Sequence, residues 1–254
     1  MSFVFKKKIL NAALMSSILY SCESWLTSNT KSLDAMYHRC LKILLGVRQT
    51  TPNMLCKVEL GMASLSAIVT SRRVQFMRKF QNVSNGEEPL ALAMQLCETA
   101  NTPGWRLISA GLQEEREPLR ENLDSQKEMC IEQAQRSSKV HMYVNMNPSL
   151  EPHPVYDSQE YIPDRFRIAF SRFRLSAHYL RIVTGRGARL PRDMRICSCG
   201  AAVQDEQHVL LECALSLHVR DQFPNEFTTN SLSAFFDNPP ATVCKIIHNV
   251  LSIY

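Results

Sequence analysis

Glycine and tryptophan are scarce in this sequence, and long apolar runs are missing. Among 254 residues, eight are glycine and two are tryptophan. No glycine-rich loop suited to a nucleotide phosphate is present, because Gly185-Arg186-Gly187 is too short to cradle one. No stretch reaches the ~18 apolar residues that span a bilayer. The sequence therefore predicts no small-molecule substrate and no membrane partner.

Cysteine is more abundant, but its pattern excludes a secreted disulfide framework. The nine cysteines are an odd number and are scattered along the chain. We therefore expect an intracellular protein, nuclear or cytoplasmic. One alternative stays open at the N-terminus, where three lysines precede the apolar stretch 9–19. That pattern suits a signal peptide as well as a buried amphipathic helix.

Charge is segregated along the chain. Residues 1–80 carry twelve basic and three acidic side chains, residues 81–160 six and thirteen, and residues 161–254 eleven and eight. Basic ends around an acidic middle indicate three functional stretches. We place their boundaries at 1–84, 85–160 and 161–254.

The spacing of apolar residues predicts a mainly α fold. Helices are expected from Ser32 to a stop at Gly46, from Thr51 to a stop at Gly61, and over residues 64–80. Residues 111–139 are acidic and favour an exposed helix. Four prolines within residues 145–164 predict an extended linker rather than a folded element.

An arginine-rich segment follows the predicted linker. A long helix is expected over residues 163–183, with an inward stripe that includes Phe166, Phe170 and Phe173. Residues 165–195 contain nine arginines, no lysine and one acid. Arginine suits bidentate contact with phosphate, so we predict sequence-tolerant binding of RNA or DNA. The alternative is that the arginine stems only cover apolar surface. The predicted nucleic-acid-binding residues are Arg165, Arg167, Arg172, Arg174, Arg181, Arg186 and Arg189.

Three cysteines and one histidine near the C-terminus predict a metal site. Cys197 and Cys199 are followed by Gly200, and His208 and Cys213 complete the set. Thiolates and imidazole are ligands that Zn²⁺ prefers, and four of them close a tetrahedral structural site. His208 and Cys213 can share one ion only if their predicted short helix bends or frays. The alternative is four unrelated core residues. His218, which lies near apolar positions, is the one plausible substitute ligand for His208.

Motifs at both ends of the chain resemble one family. Tyr20-Ser21-Cys22-Glu23-Ser24-Trp25 is similar to the Tyr-Gly-Cys-Glu-(Ser/Thr)-Trp signature that follows the palm in reverse transcriptases of non-LTR (LINE-type) retrotransposons. Ser21 departs from the family's glycine. Further blocks follow in the family's order and leave residues 85–160 unmatched: Leu45-Gly46-Val47, Leu60-Gly61-Met62, Phe173-Arg174-Leu175, and the segment 196–213 that contains the cysteines.

The resemblance implies a thumb-like helical bundle at residues 1–84 and a zinc knuckle within residues 161–254. The family's palm aspartates have no counterpart, since no two aspartates are adjacent here. Two-metal nucleotidyl transfer needs such carboxylates, so we expect a non-enzymatic fragment of a polyprotein that binds nucleic acid. Two alternatives stay open: a module that binds another protein, and a decayed reading frame without selected function.

Overall fold

The computed structural model describes residues 2–24, 30–81, 89–103, 105–106, 118–228 and 230–254. These residues are mainly helical, which confirms the predicted fold class. Within them, the single β pairing is an antiparallel bridge between Ile196 and Val203. The α-helices are α1 (Phe3–Ile9), α2 (Lys31–Leu45), α3 (Asn53–Leu60), α4 (Leu65–Gln81), α5 (Pro89–Thr99), α6 (Pro118–Ala134), α7 (Ser138–Met146), α8 (Asp164–Arg174), α9 (Arg181–Gly187), α10 (Leu217–Gln222), α11 (Leu232–Phe236) and α12 (Pro240–Leu251).

The N-terminal helix is amphipathic. After α1 the chain continues through a π-helical stretch, Leu10–Met15, and a final turn, Ser16–Ile18. Phe3, Leu10 and Met15 are buried in the core. In the described part of the chain, no single helix has the length and apolarity to cross a bilayer; α3 and the first part of α4, which meet at a bend, reach that threshold only when counted together.

Two predicted helix stops are confirmed and also bring distant segments together. Gly46 ends α2 with φ of 70°, and Gly61 ends α3 with φ of 61°. That left-handed backbone favours glycine. A Cβ at Gly46 would lie 2.7 Å from Ile168 Cγ1 of α8, and one at Gly61 would lie 2.6 Å from Pro152 Cγ. Each glycine therefore ends a helix where another segment packs closely.

The proline-rich segment 145–164 is folded, contrary to the predicted linker. Leu150, Val155 and Tyr156 are buried in the core. His153 Nε2 hydrogen-bonds Phe236 O at 2.8 Å, and Val155 N donates to His153 Nδ1 at 3.1 Å. The prolines do keep a long helix out of this segment, where the structure has only the short turn Pro154–Tyr156 between α7 and α8. The buried side chains and their hydrogen bonds nevertheless hold the segment in one conformation.

The acidic segment is only partly exposed. Helix α6 packs against α7 and α4 and buries Gln126 and Cys130. Its acidic residues form the solvent side, and Asn122 Oδ1 accepts from Ser64 N at 2.8 Å. The expectation of an exposed helix is therefore corrected on one face; its start at residues 111–117 lies outside the described residues.

The arginine-rich helix is shorter than predicted. α8 ends at Arg174, Ser176 has φ of 46°, and a new helix, α9, begins at Arg181. The predicted aromatic stripe is nevertheless buried at Phe170 and Phe173, and it packs against the C-terminal helix α12. One continuous core runs from Phe3 to Val250 and draws on all three predicted stretches, whose boundaries stay a prediction.

Candidate metal centre

A tight hairpin presents two of the four predicted ligands. The Ile196–Val203 bridge closes it, and Cys197 N donates to Ala202 O at 2.8 Å. Gly200 turns the chain with φ of 79°, and its N–H donates to Cys197 O at 2.9 Å. That left-handed turn directs Cys197 and Cys199 to the same side.

A π-helical turn presents the other two ligands. His208–Glu212 forms this turn, and Cys213 N donates to His208 O at 2.7 Å. In a regular α-helix, residues five apart point about 140° away from each other. The wider turn, followed by extended backbone at Cys213 (ψ 132°), brings both side chains to one side. This is the bend that the sequence required.

The four predicted ligands converge. Their ligand atoms all lie within 4.8 Å of one another. Cys197 Sγ and Cys213 Sγ are 3.7 Å apart, and Cys199 Sγ is 3.2 Å from His208 Nε2. Tetrahedral zinc with ordinary bond lengths separates two sulfurs by about 3.8 Å and sulfur from nitrogen by about 3.5 Å. The three cysteines are free of disulfides, so the cluster can hold a metal ion. His218 is exposed and lies outside it.

The buried thiols differ in how readily they ionise. Burial raises the pKa of Cys197 above its ordinary value. Burial also opposes ionisation of Cys213, but the Tyr254 hydroxyl, the Leu215 N–H and the neighbouring thiols lower its pKa to about 7. Of these two buried thiols, Cys213 is the closer to the thiolate form that binds metal.

A buried carboxylate, which the sequence did not single out, anchors the metal turn to the core. Glu206 Oε1 accepts from Ser176 Oγ at 2.6 Å and hydrogen-bonds His178 Nε2 at 2.9 Å. Leu180 N donates to His178 Nδ1, so Nε2 carries the proton that Glu206 accepts. Because Ser176 and His178 turn toward Glu206, helix α8 ends at Arg174 and does not continue to residue 183. The one sequence signal for this residue was its position two residues before the predicted ligand His208.

Comparison with protein-family models, curated proteins and solved structures finds no match for this chain. The retroelement resemblance therefore stays a prediction that rests on the quoted motifs. In the first motif, Cys22 is buried, whereas Trp25 lies outside the described residues.

Arg174 is a correction to the predicted nucleic-acid-binding set. Its side chain is 1% exposed, and it forms a bidentate ion pair with Glu59, Nε to Oε1 at 2.7 Å and Nη2 to Oε2 at 3.0 Å. Tyr143 and Tyr156 each donate a hydroxyl hydrogen bond to the same carboxylate at 2.8 Å. Arg174 therefore neutralises a buried acid and cannot reach phosphate.

Arg167 is the second correction. It is 3% exposed, and its guanidinium lies over the Phe3 ring, 4.4 Å from the centroid. Nη2 donates to Asp164 Oδ1 at 3.0 Å and Nη1 donates to Leu44 O at 3.2 Å. Both corrected arginines lie seven residues apart on the buried side of α8, where they join the helix to the rest of the fold.

The other predicted arginines differ from Arg167 and Arg174 in their partners. Within the described residues, none of them forms an ion pair. Some donate to neutral oxygens: Arg172 to Gly46 O at 2.8 Å, Arg181 to Ile196 O at 2.8 Å and Arg186 to Ser138 Oγ at 2.9 Å. Such hydrogen bonds hold the arginine side chains in place without neutralising their positive charge. The five are Arg165, Arg172, Arg181, Arg186 and Arg189.

Proposed function

We propose that this chain is a non-catalytic, retroelement-derived protein that binds nucleic acid through arginines held by a zinc-ordered module. The observation that carries the proposal is the convergence of three thiols and one imidazole within 4.8 Å, close to arginines that form no ion pair with a described residue. Soft ligands supply the ordering, and uncompensated charge supplies the attraction to phosphate.

Zinc is the metal that suits this donor set. Three thiolates and one imidazole in tetrahedral reach are typical of structural zinc sites. The protein would fill all four coordination positions, so the ion would have no open position at which to activate water. Its role would be to hold the hairpin that carries Cys197 and Cys199 to the turn that carries His208 and Cys213.

The arginines would bind the nucleic-acid backbone. A guanidinium presents a planar fork of donors that matches a phosphate. Arg181 lies at the start of α9 and donates to the hairpin, Arg186 lies in the last turn of α9, and Arg189 follows two residues after the helix ends. Ordering of the hairpin would therefore hold these charges in one array. Because phosphate contact releases counterions, binding would be tolerant of sequence and steeply dependent on salt.

The retroelement origin and the absence of catalysis are supported by sequence motifs and by the missing paired aspartates. Reduced, metal-binding thiols suit an intracellular protein, nuclear or cytoplasmic. RNA and DNA share the phosphate chemistry that the arginines would contact.

Metal content tests the centre directly. We expect the purified protein to hold about one zinc ion per chain, and Cys197→Ser to lose most of it because one of four ligands is gone. Cys97→Ser is the matched control, since Cys97 is exposed and lies outside the cluster. Measurement is by elemental analysis after dialysis, with the Co²⁺ spectrum as a second readout of thiolate ligation. Equal zinc in the Cys197→Ser variant and wild type would disprove the assignment.

A protein partner is the second candidate function, and one groove favours it. The groove has a volume of about 720 Å³ and is mainly apolar. Ile43 and Ile9 on its rim are 65% and 44% exposed. A partner bound there would stay bound at high salt, because apolar contacts are little screened, and Ile43→Glu would release it.

A further inference from the structure

A separate cavity lies where α8, the turn that follows it and the C-terminal end of α12 meet. It has a volume of about 410 Å³, within the range of small-ligand sites. Ile168 and Leu180 give it an apolar wall, and Leu251 borders it from α12. None of the described residues that line it is acidic. An anionic ligand with a flat apolar part suits such a lining.

Two arginines give the cavity its charge. Arg165 and Arg172 lie seven residues apart on α8, so they share one side of the helix. Arg165 is exposed, and Arg172 is held by the hydrogen bond from its Nε to Gly46 O. Neither forms an ion pair with a described residue, whereas Arg167 and Arg174 on the opposite side are both paired. The uncompensated charge of α8 is thus concentrated at this cavity.

An exposed aromatic ring borders the same cavity. Tyr179 is 68% exposed. The Arg48 guanidinium lies over one face of its ring, 4.3 Å from the centroid. A cation on one face holds the ring in place and leaves the other face for a flat ligand. Exposure of so large a ring beside two unpaired arginines is the arrangement that single-stranded nucleic-acid sites use, with stacking next to phosphate contact.

We infer that this cavity binds one unstacked nucleotide of a single strand, with the base against Tyr179 and its phosphate between Arg165 and Arg172. The inference rests on the proposed nucleic-acid binding and adds strand preference to it. A duplex keeps its bases stacked and paired, so only a single strand can offer a base to the ring. Duplexes would still contact Arg181, Arg186 and Arg189 through phosphate alone.

The test compares single-stranded and duplex oligonucleotides that carry 2-aminopurine, across a series of salt concentrations, with the variants' affinities compared at the lowest one. Tyr179→Ala should weaken single-strand binding about tenfold, because base stacking on an aromatic side chain is lost, and should leave duplex binding within about twofold. Tyr161→Ala is the matched control, since Tyr161 is also exposed (70%) but does not line the cavity. Tyr179→Phe keeps the ring and should bind as wild type does.

Three further results decide between the claims. Arg165→Gln should reduce the salt slope by about one for the single strand, while Arg136→Gln, an exposed arginine outside the cavity, should not. Equal effects of Tyr179→Ala and Tyr161→Ala, with wild type still binding in a salt-dependent way, would overturn the cavity inference and leave the proposed function intact. Absence of any binding by the wild type would overturn both. Zinc content and circular dichroism of each variant exclude misfolding as the cause.

Discussion

At the scale of single residues, the most consequential group is the buried ion pair between Glu59 and Arg174. It joins α3 to α8, and the Tyr143 and Tyr156 hydroxyls complete the carboxylate's hydrogen bonds. A buried charge is costly unless it is paired and hydrogen-bonded. These two side chains belong to the two ends of the chain, so their pairing fixes how the N-terminal and C-terminal helices meet.

Removal of one partner of the Glu59–Arg174 pair should therefore destabilise the folded protein strongly. We expect Arg174→Met to lower the free energy of unfolding by roughly 3–5 kcal/mol, because Glu59 stays buried without its counter-charge. Urea denaturation followed by circular dichroism measures it. Arg189→Met, at an exposed arginine, should change stability by less than about 0.5 kcal/mol. The double variant Glu59→Gln/Arg174→Met should lose less than the single variant, and a larger loss would contradict the pairing argument.

His153 should make stability depend on pH. Burial and the nearby Arg174 charge lower the pKa of His153 below its ordinary 6.5. The unfolded state then binds a proton more readily than the folded state as pH falls below about 6.5, so stability should decrease from there down to the depressed pKa.

The pH dependence of a variant isolates this residue. His38, whose pKa burial also lowers, contributes in the same direction. The slope of unfolding free energy against pH below 6.5 should therefore be smaller in the His153→Gln variant, by an amount that corresponds to at most one proton. The variant should also be less stable than wild type at every pH. Denaturant titrations at a series of pH values measure the slope. A slope identical to that of wild type would show that His153 does not titrate on unfolding.

At the scale of helices, glycine decides where two segments meet. Gly46 combines left-handed backbone with the close approach of Ile168. Gly46→Ala should destabilise by at least about 1–2 kcal/mol, since an L side chain is strained there and also clashes. Gly187→Ala is the matched change: nothing lies within 4 Å of a Cβ at that position, at the end of α9, so it should be neutral or slightly stabilising. Thermal unfolding of the two variants should differ clearly in midpoint; similar midpoints would contradict the packing at Gly46.

Local signals predicted the elements that local interactions determine. Gly46 and Gly61 predicted helix ends because glycine is the residue that most readily adopts the left-handed backbone found there. The helix over residues 163–183 was predicted too long because Ser176 and His178 leave it for Glu206, which lies 30 and 28 residues away. A partner at that distance leaves no periodic signal. The segment 145–164 was misjudged for the same reason, since its order comes from contacts such as His153 with Phe236.

The metal cluster was predictable and the arginine set only in part. Cysteine and histidine at close spacing carry their chemistry in their identity, and the need for a bend before Cys213 followed from helical geometry. Arginines carry no such information. Those on one side of α8 pair with Glu59 and Asp164, and those on the other side form no ion pair with a described residue. Which arginines are buried depends on which side of α8 packs against the core. The Phe stripe alone did not identify the width of that side.

At the scale of the whole molecule, a continuous core connects both ends of the chain to the metal cluster. Val209 and Leu210 in the π-helical turn belong to that core, and Glu206 anchors the turn through His178. The hairpin with Cys197 and Cys199 has fewer such contacts and would depend most on a metal. Arg181 donates to Ile196 O of this hairpin, and Arg186 and Arg189 follow it within and just after α9. Under the proposed function, metal binding would therefore order the arginines that bind nucleic acid.

The most direct test of this coupling is the affinity of the protein for labelled single-stranded RNA across a salt series, with zinc present and after chelation. We predict that log Kd rises steeply with log salt when zinc is bound, and that Arg186→Gln/Arg189→Gln lowers the slope by about two because two phosphate contacts are lost. Chelation should weaken binding while far-UV circular dichroism shows that the helices persist. Weak binding with a flat salt dependence, unchanged by the chelator, would contradict the account.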